Sequence, residues 1–204
     1  MTGWMDGANV GTYKEHMADS QRMLLLMIKP PAFVAEQIRA LPGVDKERRV
    51  DLLHQTILPI GERAEAGQYL DAVADALGGL DTRPFEACFD RIVATPGRAA
   101  KLVPSGRLPE QRRLHRGVVS VLDGKGVGYQ PYKFAPHVTL HYDWQGAALK
   151  QEIEPIRWLV DTLLLVESFH GKARHEELGR WPLRPRQGTL FPYLSCAMET
   201  AQAA

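Results

Sequence analysis

The sequence predicts an α+β fold, with antiparallel sheets that carry helices on one face. Strand-like and helix-like stretches alternate early in the chain, whereas the late strand candidates follow one another without helices long enough for parallel crossovers. At 204 residues the chain can bury the core of one sizeable domain or of two closely packed lobes without a metal or a disulfide framework. One short pattern recurs, His-x-Thr-apolar at His54 and again at His137, and no longer tandem repeat accompanies it.

Taken in order, residues 1–20 are polar and glycine-containing and read as a loose leader ahead of a domain over 21–204; their lack of a continuous apolar run argues against a secretory signal. Met23 to Lys29 reads as a buried strand closed by Pro30 and Pro31, and Phe33, Ile38 and Leu41 suit a short helix ending before Pro42 and Gly43. Val50 to Ile60 is apolar around the embedded His54, Gln55 and Thr56 and predicts a strand. Leu70, Val73, Ala74 and Leu77 form the stripe of a helix over Glu65 to Leu77, stopped by Gly78 and Gly79. Phe85 to Ala94 and Ala99 to Val103 resemble strands joined at Thr95–Arg98. A helix from Pro109 to Leu122 precedes the glycine-rich turn Asp123 to Gly128, then Tyr129 to Ala135 and a strand from His137 to Tyr142. Leu159 to Glu167 is the next strand signal, and Glu176 to Leu183 would pair with it as a hairpin across Ser168 to His175.

Twenty-five Lys and Arg against 24 Asp and Glu leave a formal charge of +1, too balanced for a general binder of long nucleic acid. Charge is nevertheless uneven. Between Arg98 and Arg116 six basic residues face the single acid Glu110, either as a solvated surface or as a rim that draws a phosphorylated substrate toward a cleft. Cys88 and Cys196 have neither a metal-ligand spacing nor enough company for a disulfide scaffold, so a cytoplasmic setting is expected. The apolar runs are of strand length, which predicts no membrane span. A monomer is expected.

In an extended strand, period-2 geometry puts His54 beside Thr56, and His137 beside Thr139, each pair on one face. Two imidazoles are what phosphoester cleavage needs without a metal. One accepts a proton from water or a ribose hydroxyl while the other donates to the departing oxygen. Two threonine hydroxyls can hold the non-bridging oxygens. The chain has no serine elbow, no phosphate-loop ending after Gly124, Gly126 and Gly128, and no acidic cluster for two metals. No cofactor and no metal are therefore expected.

With these motifs in LLHQTILPIG and FAPHVTLHYD, the chain resembles the 2H phosphoesterases, and within them most closely the bacterial RNA 2′,3′-cyclic phosphodiesterases, also called 2′-5′ RNA ligases. The resemblance runs from about Met23 to the closing RWPL at Arg180–Leu183. It implies two pseudo-symmetric lobes with the active-site cleft between them. It also implies catalytic roles for His54 and His137, with phosphate held by Thr56 and Thr139. The expected reaction is opening of a 2′,3′-cyclic phosphate at an RNA end or on a nucleotide to a 2′-phosphate, with reversible 2′-5′ ligation as a side activity. His137 would be the base and His54 the acid. The basic and aromatic residues frequent in the family at the positions of Leu58 and Pro59 are absent here. That departure favours a small cyclic nucleotide as an alternative substrate; a non-catalytic RNA- or nucleotide-binding module is the alternative of a different class.

Tyr132, Lys133, His141 and Tyr142 are candidate substrate contacts around the second motif. His141 would share the face of His137, but four strand steps, about 13 Å, separate them too far to bind one zinc. His115, His170 and His175 read as surface histidines, and Trp158 and Trp181 as core aromatics.

Overall fold

The computed structural model describes residues 22–184; the leader expected over residues 1–20, and Cys196, lie outside the described residues. Two four-stranded antiparallel sheets with flanking helices make up the fold, so the α+β expectation holds. The first sheet has the order β2-β1-β7-β8, from β1 (Arg22–Ile28), β2 (Gln55–Glu62), β7 (Thr162–Phe169) and β8 (Arg174–Pro182). The second has the order β5-β4-β3-β6, from β3 (Phe85–Ala94), β4 (Arg98–Val103), β5 (Val138–Trp144) and β6 (Leu149–Val160).

A strand–helix–strand unit appears in each lobe. β1, α1 (Ala32–Arg39) and β2 make the first; β4, α4 (Pro109–Gly124) and β5 make the second. In each unit the two strands are antiparallel neighbours and the later strand, the one that follows a histidine motif's His, forms the edge of its sheet. Helix α1 buries Val34, Ala35 and Ile38, and α4 buries Leu114, Val118 and Leu122, the i, i+4, i+8 stripe of an amphipathic helix. Pro109 opens α4 where a missing N–H costs nothing. Gly97 at φ +69° turns the β3–β4 hairpin, a conformation that side chains with a Cβ disfavour.

Four expectations need correction. The strand expected from Val50 starts only at Gln55, because Val50–Leu52 winds into a short 3-10 turn that leaves His54 just ahead of β2. His137 likewise stands one residue ahead of β5. The single helix expected over Glu65–Leu77 is two, α2 (Arg63–Ala66) and α3 (Leu70–Gly78), separated by a 3-10 turn beginning at Gly67, a weak helix former. The strand expected over Leu159–Glu167 is the end of β6 and most of β7, and Asp161 alone carries the chain from one sheet to the other. β6 escaped notice because it is an edge strand whose first half is exposed and charged; its Pro155 falls in the register shift between the Phe89 and Arg91 pairings, where no ladder donor is needed.

A continuous apolar core spans both lobes, with Phe89 and Trp158 stacked at 5.2 Å inside it. The exposed edges are joined reciprocally. The N–H of Gln130, in the loop before the second motif, donates to the carbonyl of Pro59 on β2 at 3.1 Å, and the N–H of Asp45, in the loop before the first, donates to the carbonyl of Leu140 on β5 at 3.1 Å. Each lobe's loop thus caps the other's edge strand, blunting two unpaired edges and tying the motif strands together.

Candidate active site

The two histidines are held by the same device. His54 Nδ1 lies 2.7 Å from the carbonyl oxygen of Leu52, and His137 Nδ1 lies 2.7 Å from that of Ala135, in each case two residues back. A carbonyl can only accept, so each Nδ1 carries the proton and donates. Each Nε2 is left with a free lone pair. Both rings thus adopt the tautomer required for taking a proton at Nε2, oriented by a backbone group that itself does not titrate.

Register fixes what surrounds each threonine, because directly paired residues of an antiparallel ladder share a sheet face. Thr56 is paired with Met27, Met27 with Leu164, and Leu164 with Arg180. Met27, Leu164 and Val166, with Leu25 against them, form a small buried cluster separate from the main core. In the second lobe Thr139 is paired with Lys101, Lys101 with Val93, and Val93 with Lys150. A cation therefore stands in the second lobe where a methionine stands in the first.

Electrostatics differ as well. Burial pushes His54 down to about 3, with the charges of His175, Arg48 and Lys29 acting in the same direction and only the Leu52 hydrogen bond opposing. His137 is also lowered by burial, with Lys101 adding to the effect and the Ala135 bond opposing it. Lys29, at the end of β1, donates to the Asp51 carbonyl at 2.8 Å; burial lowers its pKa against the pull of Asp51 and Glu177.

Of the other candidates, Tyr142 is 61% exposed and carries the Arg48 guanidinium over its ring at 4.7 Å. Val138 and Leu140 are buried while Thr139 and His141 are both half-buried, so the alternation keeps His141 on the side of Thr139; a register shift sets it opposite Ala100, and His141 Nδ1 accepts the Asp143 N–H at 3.1 Å with the ring edge-on to Trp144. Tyr132 is half-buried, 6.4 Å from the rings of both His115 and Phe134, and burial raises its phenol pKa; Lys133 is exposed between Tyr132 and Phe134.

Two histidines read as surface residues are packed instead. His115 stacks on Phe134 at 4.5 Å. His175, the second residue of β8, lies edge-to-face on His54 with ring centroids 5.0 Å apart, and burial lowers it to about 4. The sequence reading also missed Lys29 and Arg48. Lys101 had appeared only as one charge of a basic stretch, although its place in the apolar alternation Ala100–Lys101–Leu102 already set it on the face opposite the core. A cavity of about 520 Å³ adjoins this corner, lined by residues that include Leu52, Arg48, Tyr142 and His175; neither His54 nor His137 lines it.

Among the described residues no three His, Cys, Asp or Glu side chains converge into a group that could hold a metal ion. No helix among them is long and apolar enough to cross a membrane.

Against known proteins, the two-sheet fold matches several solved structures over about four fifths of the chain. A crystal structure described as a phosphoesterase matches with 25% identity and TM-score 0.64, over 81% of this chain and 99% of that one. More particularly, Escherichia coli LigT in complex with 3′-AMP matches with 24% identity and TM-score 0.64, over 80% of this chain and 98% of LigT. A protein from Thermus thermophilus matches with 20% identity and TM-score 0.62, over 80% and 99% of the two chains. LigT has also been crystallised with phosphate, ATP and NADP+. No family model matches the chain, and no curated protein matches its sequence.

Proposed function

We propose that this chain is a metal-independent phosphodiesterase that opens 2′,3′-cyclic phosphates of RNA ends or nucleotides to 2′-phosphates, with reversible 2′-5′ ligation when a ribose 5′-hydroxyl takes the place of water as the nucleophile. The observation that carries the reading is the duplicated His-x-Thr on the capped edges of two sheets, each histidine latched at Nδ1 to the carbonyl two residues back with Nε2 free. The likeness to LigT, which binds 3′-AMP, supports a nucleotide phosphate as the ligand.

In this mechanism one Nε2 removes a proton from water as the water oxygen attacks phosphorus, and the other, protonated, gives its proton to O3′ as the P–O3′ bond breaks. Thr56 and Thr139 donate to the non-bridging oxygens, and Lys101 adds charge stabilisation from the second lobe. Burial together with three cationic or titratable neighbours disfavours a proton on His54 more than burial and Lys101 disfavour one on His137. This favours His137 as the acid and His54 as the base for hydrolysis, the reverse of the assignment implied by the family resemblance.

Steady-state hydrolysis of a panel of 2′,3′-cyclic nucleotides and short cyclic-ended RNAs tests the reading. Turnover that survives a strong chelator and yields 2′-phosphates is expected. No turnover with tight RNA binding would instead support the binding-module alternative, and a loss restored by added zinc, manganese or magnesium would overturn metal independence.

A further inference from the structure

We propose that the cavity beside His54 is a nucleoside subsite in which Tyr142 provides the stacking surface and His175 a neutral hydrogen-bond donor; the proposal rests on the phosphodiesterase reading. The cavity lies where three separate pieces of chain meet: the loop carrying Arg48 and Leu52, strand β5 at Tyr142, and the tip of the β7–β8 hairpin with Phe169, Arg174 and His175. Its volume, about 520 Å³, falls in the range of small-molecule sites.

Its position ties it to the chemistry. His175 forms both the cavity wall and the edge-to-face contact with the His54 ring, and Leu52 lines the cavity while its carbonyl fixes His54 Nδ1. A phosphoryl group at His54 would therefore direct one of its substituents past His175 into this space.

The lining identifies the substituent. Tyr142 is largely exposed, and Arg48, stacked on its ring and within 3.4 Å of its hydroxyl, braces it as a rigid aromatic surface. Arg48 and Arg174 are balanced by Asp45 and Glu47 in the same wall, and Arg174 is already engaged with Glu176 and the Phe169 ring. A wall of balanced charge does not select a second phosphate. It suits the neutral, polar, flat surface of a nucleobase, which stacks on an aromatic ring and takes hydrogen bonds at its edge.

His175 fits as the donor. Its Nδ1 is buried and has no partner. A proton there would be a buried, unsatisfied N–H, so the neutral ring carries its proton on Nε2. The neighbouring Lys29 and Arg48 oppose a second proton.

The test compares substrates that differ only in the base. For the wild-type chain, kcat/KM on 2′,3′-cyclic AMP should exceed that on methyl riboside 2′,3′-cyclic phosphate by about tenfold, the order expected for one base stacked on an aromatic. Tyr142→Ala and His175→Ala should each collapse that ratio at least severalfold, chiefly through KM, and His175→Gln, which retains an N–H donor, should recover part of it. A wild-type ratio near one, or a ratio unchanged in both alanine variants, overturns the subsite. Calorimetric binding of 2′-AMP and methyl riboside 2-phosphate separates the two ideas. Preference for 2′-AMP that the variants lose, without turnover of either cyclic substrate, keeps the subsite and removes the catalytic reading. Equal turnover and equal binding of the two ligands keeps the catalytic reading and removes the subsite.

Discussion

The two lobes repeat one backbone plan and fill it with different chemistry. Both carry a histidine just ahead of an edge strand, fixed by the same 2.7 Å contact, and both capped strands receive a hydrogen bond from the other lobe's loop. Around Thr56, however, the first lobe places Met27 and an apolar floor, whereas the second places Lys101 against Thr139. The first lobe concentrates its cations and a third imidazole around the histidine itself, the second sets its cation beside the threonine. The pseudo-symmetric backbone supplies two imidazoles held alike, and on the proposed mechanism asymmetry of the surrounding side chains is what makes one an acid and the other a base.

The comparison is broken most directly at the histidines. His54→Ala and His137→Ala should each reduce turnover on a 2′,3′-cyclic nucleotide by about 100-fold to 10,000-fold, with affinity for an unreactive phosphate analogue within a few-fold of wild type. The double variant should fall far short of the product of the two effects, since both groups act in one transition state. Folded single variants that keep near wild-type turnover would remove both residues from the mechanism.

Acid stability sharpens the contrast next. His54 and His175 have folded pKa values of about 3 and about 4, below the unfolded value of about 6.5, so their contribution is intact above pH 6.5. As pH falls through that value the unfolded chain binds protons that the native one refuses. Stability should therefore drop toward pH 4 with a slope of up to about 1.4 kcal/mol per pH unit for each such group. Urea melts from pH 7 to pH 4 should show this loss, and His54→Gln should flatten it more than His137→Gln.

Lys101→Met, which gives the second lobe the residue type of the first, should lower kcat/KM by about tenfold through lost charge stabilisation. Removing the cation also raises the His137 pKa, so the pH–rate limb belonging to His137 should move to higher pH while the other stays. Thr56→Val and Thr139→Val should cost less than either histidine change, because each removes a single hydrogen bond to phosphate that water can partly replace. The smallest effect belongs to the inter-lobe caps. Gln130→Pro deletes the N–H that reaches Pro59 and should lower the urea stability by about 1 kcal/mol, with kcat changed more than that loss implies if the cap also positions β2.

Much of this molecule is legible in local sequence. The stripe of Leu114, Val118 and Leu122, Pro109 at a helix start, the turn at Gly97 and the continuous apolar run of β1 state their elements because the cause lies within one or two turns of chain. The two His-x-Thr copies are equally plain, since a repeated polar pattern in apolar surroundings is a property of the string. Strand β6 was hidden because its stability comes from pairing with β3 and its exposed half has no apolar period to read. His175 was hidden for a related reason. Nothing near it in sequence distinguishes it from the exposed His170, and it meets His54 only through packing between segments far apart in the chain. The register shift opposite Ala100 and Lys101, the pairing of Lys101 with Thr139, and the burial that lowers the histidine pKa values arise from register and packing between segments distant in sequence. Local pattern specifies elements and candidate chemistry; which charges act on which imidazole follows from long-range pairing that no short window contains.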